Sequence, residues 1–451
     1  MSAVPFPHQS SMDRLDDGPV SQATHSRAAI APLSFAQLRM WFFAQLEPGN
    51  PLYNSTRVYR WHGALDTGVL ERSLAEVVQR HEILRTRFRA TPGGVVQEVA
   101  AAEPFRLPLV DLTDLPLAER ETESQRRVVA ESQQPFDLAT GPLFRVLLLR
   151  LTPIEHQLMI VIHHIATDAW SARLLLRELI TLYRAYLAGE PSSLADPSIQ
   201  YRDYSRWQHE QTRGEGFRRD LAFWKGRLKD MPPVLELPTL RARPKTQDEQ
   251  VQRISFEIPA DLTAALAALG RQERATPFMT LLAAFKVLLW RYTGQTDLVI
   301  GVPVAGRTRV EFEDALGCFT NTLVLRTDLS GEPSFREVLR RVRAVTVGGY
   351  AHQDFPFERL VEQLRPERSI HHHPLFQVMF NFRDFPGWTS ESDGLVIEEV
   401  EVPRNHALVD LALRIVRRNS RLSAQVVCNP RFFDAGTAER LVEHYRLVLQ
   451  S

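Results

Sequence analysis

The most constraining feature of this 451-residue sequence is a strand-to-helix unit that occurs twice. The first copy is VIHHIATDAWSARLLLREL (161–179), and the second is VVCNPRFFDAGTAERLVEHY (426–445). In each copy an apolar strand leads through a short loop to an aspartate, Asp168 or Asp434, and then to an amphipathic helix. The pattern predicts two lobes built on the same supersecondary plan, with a chance match as the alternative. The histidine pair occurs in the first copy alone, which predicts one active site.

The rest of the chain alternates strand-like and helix-like segments, which predicts an α/β or α+β fold. Hydrophobic periodicity predicts strands over Gln157–His164 and Asp297–Pro303. It predicts helices over Leu70–Arg80, Ser171–Leu187 and Phe278–Trp290.

Composition divides the chain into a tail and two lobes. Residues 1–28 are rich in Ser, Asp, Gln and Pro, and we expect a disordered tail there. We expect the first lobe over 29–225 and the second over 226–451. A segment rich in proline and charge, 231–250, is expected to form a long surface connection near that boundary.

Charge and cysteine content exclude several classes of protein. Lys plus Arg and Asp plus Glu are 54 each, and this balance argues against a nucleic-acid binder. The two cysteines, Cys318 and Cys428, have no metal-ligand spacing and indicate a reducing cytoplasm. The sequence shows neither a signal peptide nor an apolar run of about 18 residues, so we expect a cytoplasmic protein without a membrane span.

The segment HHIATDAWS (163–171) is the candidate for chemistry. Histidine suits proton transfer because its pKa lies near neutrality. Successive side chains of an extended strand point to opposite faces, so His163 and His164 are expected to face the interior and a cleft, one each. Asp168 is expected to hold the loop or a partner arginine. The alternative is a packing role for both histidines and a helix N-cap role for Asp168.

An ordered set of further segments accompanies these histidines. They are LSFAQLRMWF (33–42), RHEILRTRF (80–88), HHIATDAWS (163–171), YRDYSRWQ (201–208), LGCFTNTLVLR (316–326), HQDFPFERL (352–360) and HPLFQVMFNF (373–382). In order and spacing the set resembles the condensation domains of nonribosomal peptide synthetases, from about Leu33 to the last residue.

The resemblance implies a fold and a set of partners. The fold would be two chloramphenicol-acetyltransferase-like lobes in a V, a pseudo-dimer with a central tunnel and the histidines midway along it. The donor would arrive on the 4'-phosphopantetheine arm of a peptidyl carrier protein. The acceptor would be a second carrier-bound group or a small molecule. No bound cofactor or metal is expected, and the protein is expected to work as a monomer.

The resemblance also implies roles for individual residues. His164 would accept a proton from the attacking nucleophile, or orient it and stabilise the tetrahedral intermediate. His163 and Asp168 would support the active site structurally. Asp168 is expected to pair with Arg307 of GVPVAGR (301–307), with a solvated Arg307 as the alternative.

Other residues near the motifs have more than one interpretation. Ala169 stands where the family usually has glycine, and alanine fits if it begins a helix. Trp170 is expected to be a packing anchor, and Cys318 a small core residue. Asn321 is expected to line the tunnel or to cap a loop. The run His371–His373 is interpreted as loop rather than metal site, because adjacent side chains diverge.

The sequence therefore predicts an acyltransferase of antibiotic or other natural-product biosynthesis that forms an amide or an ester. A free-standing enzyme is the expected organisation, with a domain excised from a longer protein as the alternative. The alternatives are a non-catalytic recruitment platform and a coenzyme A-dependent acyltransferase. An epimerisation domain shares the histidine motif, but RHEILRTRF, HQDFPFERL and HPLFQVMFNF favour condensation.

Overall fold

The structure is a computed structural model. It describes residues 30–232, 234–237, 251–364, 374–384, 389–392, 394–400, 402, 409–418, 421–430 and 432–451. The predicted tail, most of the segment 231–250 and the run His371–His373 lie outside the described residues.

One six-stranded sheet carries the strand that leads to the histidine pair. Its spatial order is β12 (Thr389–Ser392), β13 (Leu395–Val400), β2 (Asn54–His62), β7 (Glu155–His163), β6 (Phe144–Thr152) and β5 (Leu109–Asp111). Neighbours are antiparallel except β5 and β6. Every residue of β7 after Glu155 is buried, because both faces of this central strand pack on hydrophobic clusters.

A second six-stranded sheet forms the core of the C-terminal half. Its spatial order is β10 (Asn321–Asp328), β9 (Asp297–Val304), β11 (Val378–Asp384), β14 (Leu411–Arg418), β15 (Arg421–Cys428) and β8 (Gln252–Ile258). Strand β11 runs parallel to both of its neighbours, and the other pairs are antiparallel. A small third sheet consists of β1 (Ile30–Pro32), β4 (Gly94–Val99) and β3 (Thr86–Thr91).

Helices cover the two large sheets. In the N-terminal half they are α1 (Phe35–Leu46), α2 (Thr67–Arg80), α3 (Leu117–Gln133), α4 (Ala169–Leu187), α5 (Tyr201–Gln211) and α6 (Glu215–Leu228). In the C-terminal half they are α7 (Ala260–Gln272), α8 (Pro277–Thr293), α9 (Phe335–Ala351), α10 (Phe357–Leu364) and α11 (Ala435–Gln450). None of the helices in the described residues combines the length and hydrophobicity that a membrane span requires.

The two halves exchange segments. After β11 the chain leaves the second sheet, adds β12 and β13 to the edge of the first sheet, and returns as β14. Phe312, Leu316 and Phe319, which precede β10, pack into the N-terminal core. The predicted boundary at 225/226 falls inside α6, whose Trp224 and Leu228 pack on the C-terminal core. Each core therefore uses residues from both sides of that boundary.

The repeated unit has the same local structure in both halves. Strand β7 is followed by Asp168, whose carboxylate accepts a hydrogen bond from the Ser171 amide and caps α4. Strand β15 is followed by Asp434, whose carboxylate accepts one from the Thr437 amide and caps α11. The two aspartates differ in surroundings, because Asp168 is buried and Asp434 is exposed. Both copies of the unit thus use the aspartate as a helix cap, whereas the aspartate is buried only in the first copy.

Candidate active site

The adjacent histidines face different surroundings, as the strand geometry predicts. His163 is the last residue of β7 and is 5% exposed. His164 begins a 3₁₀ turn, His164–Ala166, rather than continuing the predicted strand, and its side chain is partly exposed. His164 is therefore the member of the pair that solvent or a substrate can reach.

His163 is held as a neutral ring. Its Nδ1 accepts a hydrogen bond of 3.1 Å from the amide of Ile165, and the Phe136 and Tyr53 rings pack beside it. Burial, with a smaller contribution from the charge on His164, lowers the pKa of His163 to about 3. A neutral ring with Nδ1 in use holds the turn that begins at His164.

This burial predicts a loss of stability in mild acid. Unfolded His163 has a pKa near 6.5, so below that pH the unfolded chain binds a proton at His163 that the folded chain does not bind. The folded-state pKa is lowered, so the contribution is complete above about pH 6.5 and is lost towards pH 3. From pH 7.5 to 5.5, His163→Asn is expected to lose about 1.4 kcal/mol less unfolding free energy than the wild type. Urea denaturation at both pH values measures this, and equal losses would contradict a neutral His163.

The ring of His164 contacts a residue that sequence analysis assigned to the core. The Cys318 Sγ lies 3.7 Å from the His164 Nδ1, within reach of a weak sulfur hydrogen bond. Burial, and then the charge of Asp168, raise the pKa of Cys318, so the group is a thiol. The Tyr201 hydroxyl donates a hydrogen bond of 2.6 Å to the Cys318 carbonyl. A residue from the second half of the chain thus flanks Nδ1 of His164.

Asp168 joins the two halves in addition to capping α4. Its Oδ1 accepts from the Ser171 amide at 2.8 Å, and its Oδ2 accepts from the Phe319 amide at 2.9 Å. The Arg307 Nη2 lies 3.5 Å from Oδ1, and both side chains are 1% exposed. The contact expected between Asp168 and Arg307 is present, as a buried ion pair.

Arg307 and Ser171 complete this connection. Arg307 donates to the carbonyls of Phe312 and, at 2.8 Å, Ala315, and to the Ser171 Oγ at 2.8 Å. Ser171 donates to the Gly317 carbonyl at 2.7 Å and accepts from the Gly317 amide at 3.1 Å. Burial lowers the pKa of Arg307, and the charge of Asp168 opposes that effect. The network fixes the chain around Cys318 against the start of α4.

The glycine before Arg307 has no room for a side chain. Gly306 has φ +65°, and a Cβ there would lie 1.9 Å from the Phe319 carbonyl oxygen. Gly294 has a similar φ of +69°, but open space surrounds its Cβ position among the described residues. Gly294→Ala is expected to cost about 1 kcal/mol of unfolding free energy from backbone strain. Gly306→Ala is expected to cost about 3 kcal/mol, because overpacking adds to that strain. Urea denaturation of both variants tests this, and equal costs would contradict the steric part.

Ala169 and Trp170 occupy the first turn of α4. Ala169 is the first helical residue, a position at which alanine needs no special backbone angle. The Trp170 Nε1 donates a hydrogen bond of 2.9 Å to the Glu313 carbonyl, and the Arg307 guanidinium lies 5.6 Å from the Trp170 ring. Trp170 thus anchors α4 to the segment that precedes Cys318.

The side chain of Asn321 forms hydrogen bonds to the backbone of a loop. Its Nδ2 donates to the carbonyls of Gln353 and Phe355, both at 2.8 Å. Its Oδ1 accepts from the amides of Thr322 and Phe357 at 2.9 and 3.0 Å. Both amide hydrogens and both oxygen lone pairs are in use, which matches the loop-capping alternative.

The site presents the partly exposed imidazole of His164, and hydrogen bonds hold the residues around it in place. An imidazole can accept a proton, donate one or stabilise a developing charge by a hydrogen bond. Ser171, Cys318 and Tyr201 contribute to the setting and were missed as site residues. Ser171 binds Gly317, Cys318 contacts His164 and Tyr201 binds Cys318, each across more than 100 positions, and the one local signal was that all three fall within conspicuous motifs.

Sequence relatives of the chain are parts of large synthetases. It is 43% identical over 420 residues to a linear gramicidin synthase of Brevibacillus parabrevis, covering 93% of this chain and 5% of that protein. It is 39% identical over 439 residues to phosphinothricin tripeptide synthetase PhsC of Streptomyces viridochromogenes, covering 97% of this chain and 39% of that protein. The chain therefore spans well under half of these relatives.

Solved structures share the fold along almost their whole length. The X-domain from teicoplanin biosynthesis is 30% identical with a TM-score of 0.86, covering 96% of this chain and 97% of that one. SgcC5 from Streptomyces globisporus is 27% identical with a TM-score of 0.77, covering 93% of this chain and 97% of that one. The predicted fold class, with its acetyltransferase-like lobes, is confirmed.

The family model described as the condensation domain matches residues 27–451. Condensation domains of nonribosomal peptide synthetases are typically acyltransferases that form amide bonds. The match covers nearly the whole chain, and with the relatives above it shows that this chain belongs to the condensation-domain family of nonribosomal peptide synthetases.

Proposed function

We propose that this chain transfers an acyl or aminoacyl group from a carrier-bound phosphopantetheine thioester to an amine or hydroxyl, in cytoplasmic natural-product biosynthesis. The observation that carries the proposal is the partly exposed ring of His164, flanked by Cys318 at the junction of the two halves. Its neighbour His163 is buried, so the pair divides into one reactive and one supporting residue.

The proposed reaction is balanced by one proton transfer. The acceptor nitrogen or oxygen attacks the thioester carbonyl, and a new C–N or C–O bond replaces the C–S bond. The proton leaves the nucleophile through the His164 ring, and the carrier thiol departs protonated. An alcohol needs this proton removed as it attacks, whereas a neutral amine loses it afterwards.

The other site residues have positioning roles in this proposal. His163 supports the turn that presents His164. Asp168 and Arg307 hold the start of α4 against the segment that contains Cys318, with Ala169 and Trp170 in the first helical turn. Asn321 acts at the loop around Gln353 and Phe355 rather than on substrate. The donor partner is a peptidyl carrier protein, the acceptor is carrier-bound or a small molecule, and the protein acts as a monomer.

The decisive experiment supplies loaded donors to the purified chain. Acyl carrier protein and acyl coenzyme A are offered separately with a panel of amines and alcohols, and products are identified by mass spectrometry. We expect the wild type to form product from the carrier-bound donor, and we expect His164→Ala to form none. Transfer from coenzyme A alone would favour the coenzyme A-dependent alternative.

Two solved relatives support testing a hydroxyl acceptor and a recruitment role. SgcC5 was crystallised with a naphthyl ethanediol, which supports testing hydroxyl acceptors. The X-domain from teicoplanin biosynthesis was solved in complex with OxyB, which favours a recruitment platform as the second candidate function. A chain that acylates no acceptor but binds another enzyme tightly would support the platform.

A further inference from the structure

A cleft in the C-terminal half lies away from the histidine pair. It has a volume of about 700 Å³ and is bounded by the last turn of α6, the middle of α9 and the end of β10. Thr327, which lines it, follows Asn321 by six strand residues, or about 20 Å. None of the active-site residues described above lines the cleft. A cleft of this size is typical of sites for small molecules.

The floor of the cleft contains a hydroxyl group with an unused hydrogen. Thr327 is 2% exposed, and its Oγ1 accepts a hydrogen bond of 2.7 Å from the Nζ of Lys286. Lys286 is fully buried and also donates to the Leu325 carbonyl at 2.7 Å. Because the Thr327 oxygen accepts here, its own hydrogen can be donated, and no described residue accepts it. A buried donor in the lining of a cleft favours a ligand with acceptor atoms there.

Arginines from two helices supply further donors. On the α9 side, Arg341 donates from Nη1 to the carbonyls of Asp328 and Ser330 at 2.9 and 3.1 Å, and from Nε to Glu337 at 3.1 Å. Its Nη2 makes no hydrogen bond within the described part of the chain. On the α6 side, Arg227 is exposed and makes no side-chain hydrogen bond or ion pair with a described residue. Both guanidinium groups therefore have donors available at this cleft.

The carboxylates that line the cleft are already bound. Arg326 donates to both carboxylate oxygens of Asp297 at 2.7 to 3.0 Å. It also donates to the Lys229 carbonyl at 2.5 Å, which holds the end of α6 against β10. The Asp328 carboxylate accepts from the Ser330 amide and hydroxyl at 2.8 and 2.9 Å. Three arginines and two aspartates give the lining a net charge of +1, and the unused side-chain groups identified above are all donors.

We propose that this cleft binds the phosphate group of a small organic molecule. Guanidinium groups bind phosphate with parallel hydrogen bonds. A phosphate monoester has three acceptor oxygens for the three donor groups of Arg227, Arg341 and Thr327, whereas a carboxylate has two. Arg341 is already held by its other hydrogen bonds, so little side-chain freedom is lost on binding. Ala344 and Val345 offer apolar surface to the organic part of the ligand.

Methyl NMR on the whole chain measures this binding at the cleft itself. The probes share one ring: phenyl phosphate, a dianion at pH 8, benzoate, and uncharged phenol. Each is titrated at constant ionic strength, and the methyl signals of Ala344 and Val345 report occupancy of the cleft. Phenyl phosphate is expected to shift these signals saturably and to bind about tenfold more tightly than phenol, with benzoate between them.

A matched pair of variants lies on α6. Arg227→Gln is expected to fold, because the side chain is exposed, and to weaken phenyl phosphate binding about tenfold without affecting phenol. Arg218, another exposed arginine of α6, lies outside the cleft, and Arg218→Gln is expected to keep the wild-type affinities.

Three results would overturn the proposal. They are benzoate or phenol binding as tightly as phenyl phosphate, signals of Ala344 and Val345 that do not move, and an equal effect of the Arg227 and Arg218 substitutions. The first two are measured on the wild type and need no variant to fold. Acyl transfer does not enter the measurement, so its outcome is independent of the function proposed above.

Discussion

Replacing His164 with alanine is expected to reduce ester formation by about 10⁴-fold and amide formation by about 10²-fold. The difference arises because an alcohol becomes a competent nucleophile only as its proton leaves, whereas an amine attacks before it loses the proton. Removing the ring deletes the group that receives this proton. The variant is expected to fold, because the ring is partly exposed and its neighbour His163 holds the turn.

The measurement is kcat/KM with one loaded donor and a matched amine and alcohol acceptor. His444→Ala is the control, since His444 is an exposed histidine of α11 that contacts Tyr292 in the second half of the chain. It is expected to retain both activities. Small and equal losses for both acceptors in His164→Ala would contradict a role as proton acceptor and would leave an orienting role.

Local elements were predictable because their signals are local. The helix predicted over Phe278–Trp290 is α8, which extends further at both ends. Thr276 caps its start with Pro277 in the first turn, and Gly294 ends it in the left-handed conformation. The strand predicted up to His164 ends one residue earlier, because the Ile165 amide binds the His163 ring and begins a turn.

Contacts between distant segments explain what the sequence did not reveal. Cys318 meets His164 across 154 positions, and no periodicity encodes such a pair. The Asn321 side chain binds backbone groups 32 to 36 positions later in the chain. The sequence around Asn321 therefore could not show whether this residue lines a tunnel or caps a loop. Arg307 was identified as the partner of Asp168 through the family resemblance, since the two lie far apart in sequence.

The crossing of β12 and β13 is the clearest example of this limit. Each strand carries an ordinary local pattern, and the sheet it joins depends on packing between the halves. The crossing brings Glu399 to Arg57, with which it forms an ion pair of 2.6 Å. Arg57 and Glu399 lie 342 positions apart and look like solvated surface residues until that pairing is known.

Replacing Asp168 with alanine is expected to cost about 3–5 kcal/mol of unfolding free energy. The substitution leaves the Arg307 guanidinium without its carboxylate partner in a site where both side chains are 1% exposed. It also removes the acceptors of the Ser171 and Phe319 amides. Because these contacts hold the Cys318 segment beside His164, acyl transfer is expected to fall with stability.

The repeated unit supplies the matched variant. Asp434 caps α11 as Asp168 caps α4, but it is exposed and its carboxylate binds the Thr437 amide. Asp434→Ala is therefore expected to lose a cap alone, and its stability loss should be clearly smaller than that of Asp168→Ala. Urea denaturation of both variants at one pH separates the cap from the buried ion pair. Equal losses would mean that the link between Asp168 and Arg307 adds nothing beyond capping, and the two halves would then be held together mainly by the packing of Phe312, Leu316 and Phe319.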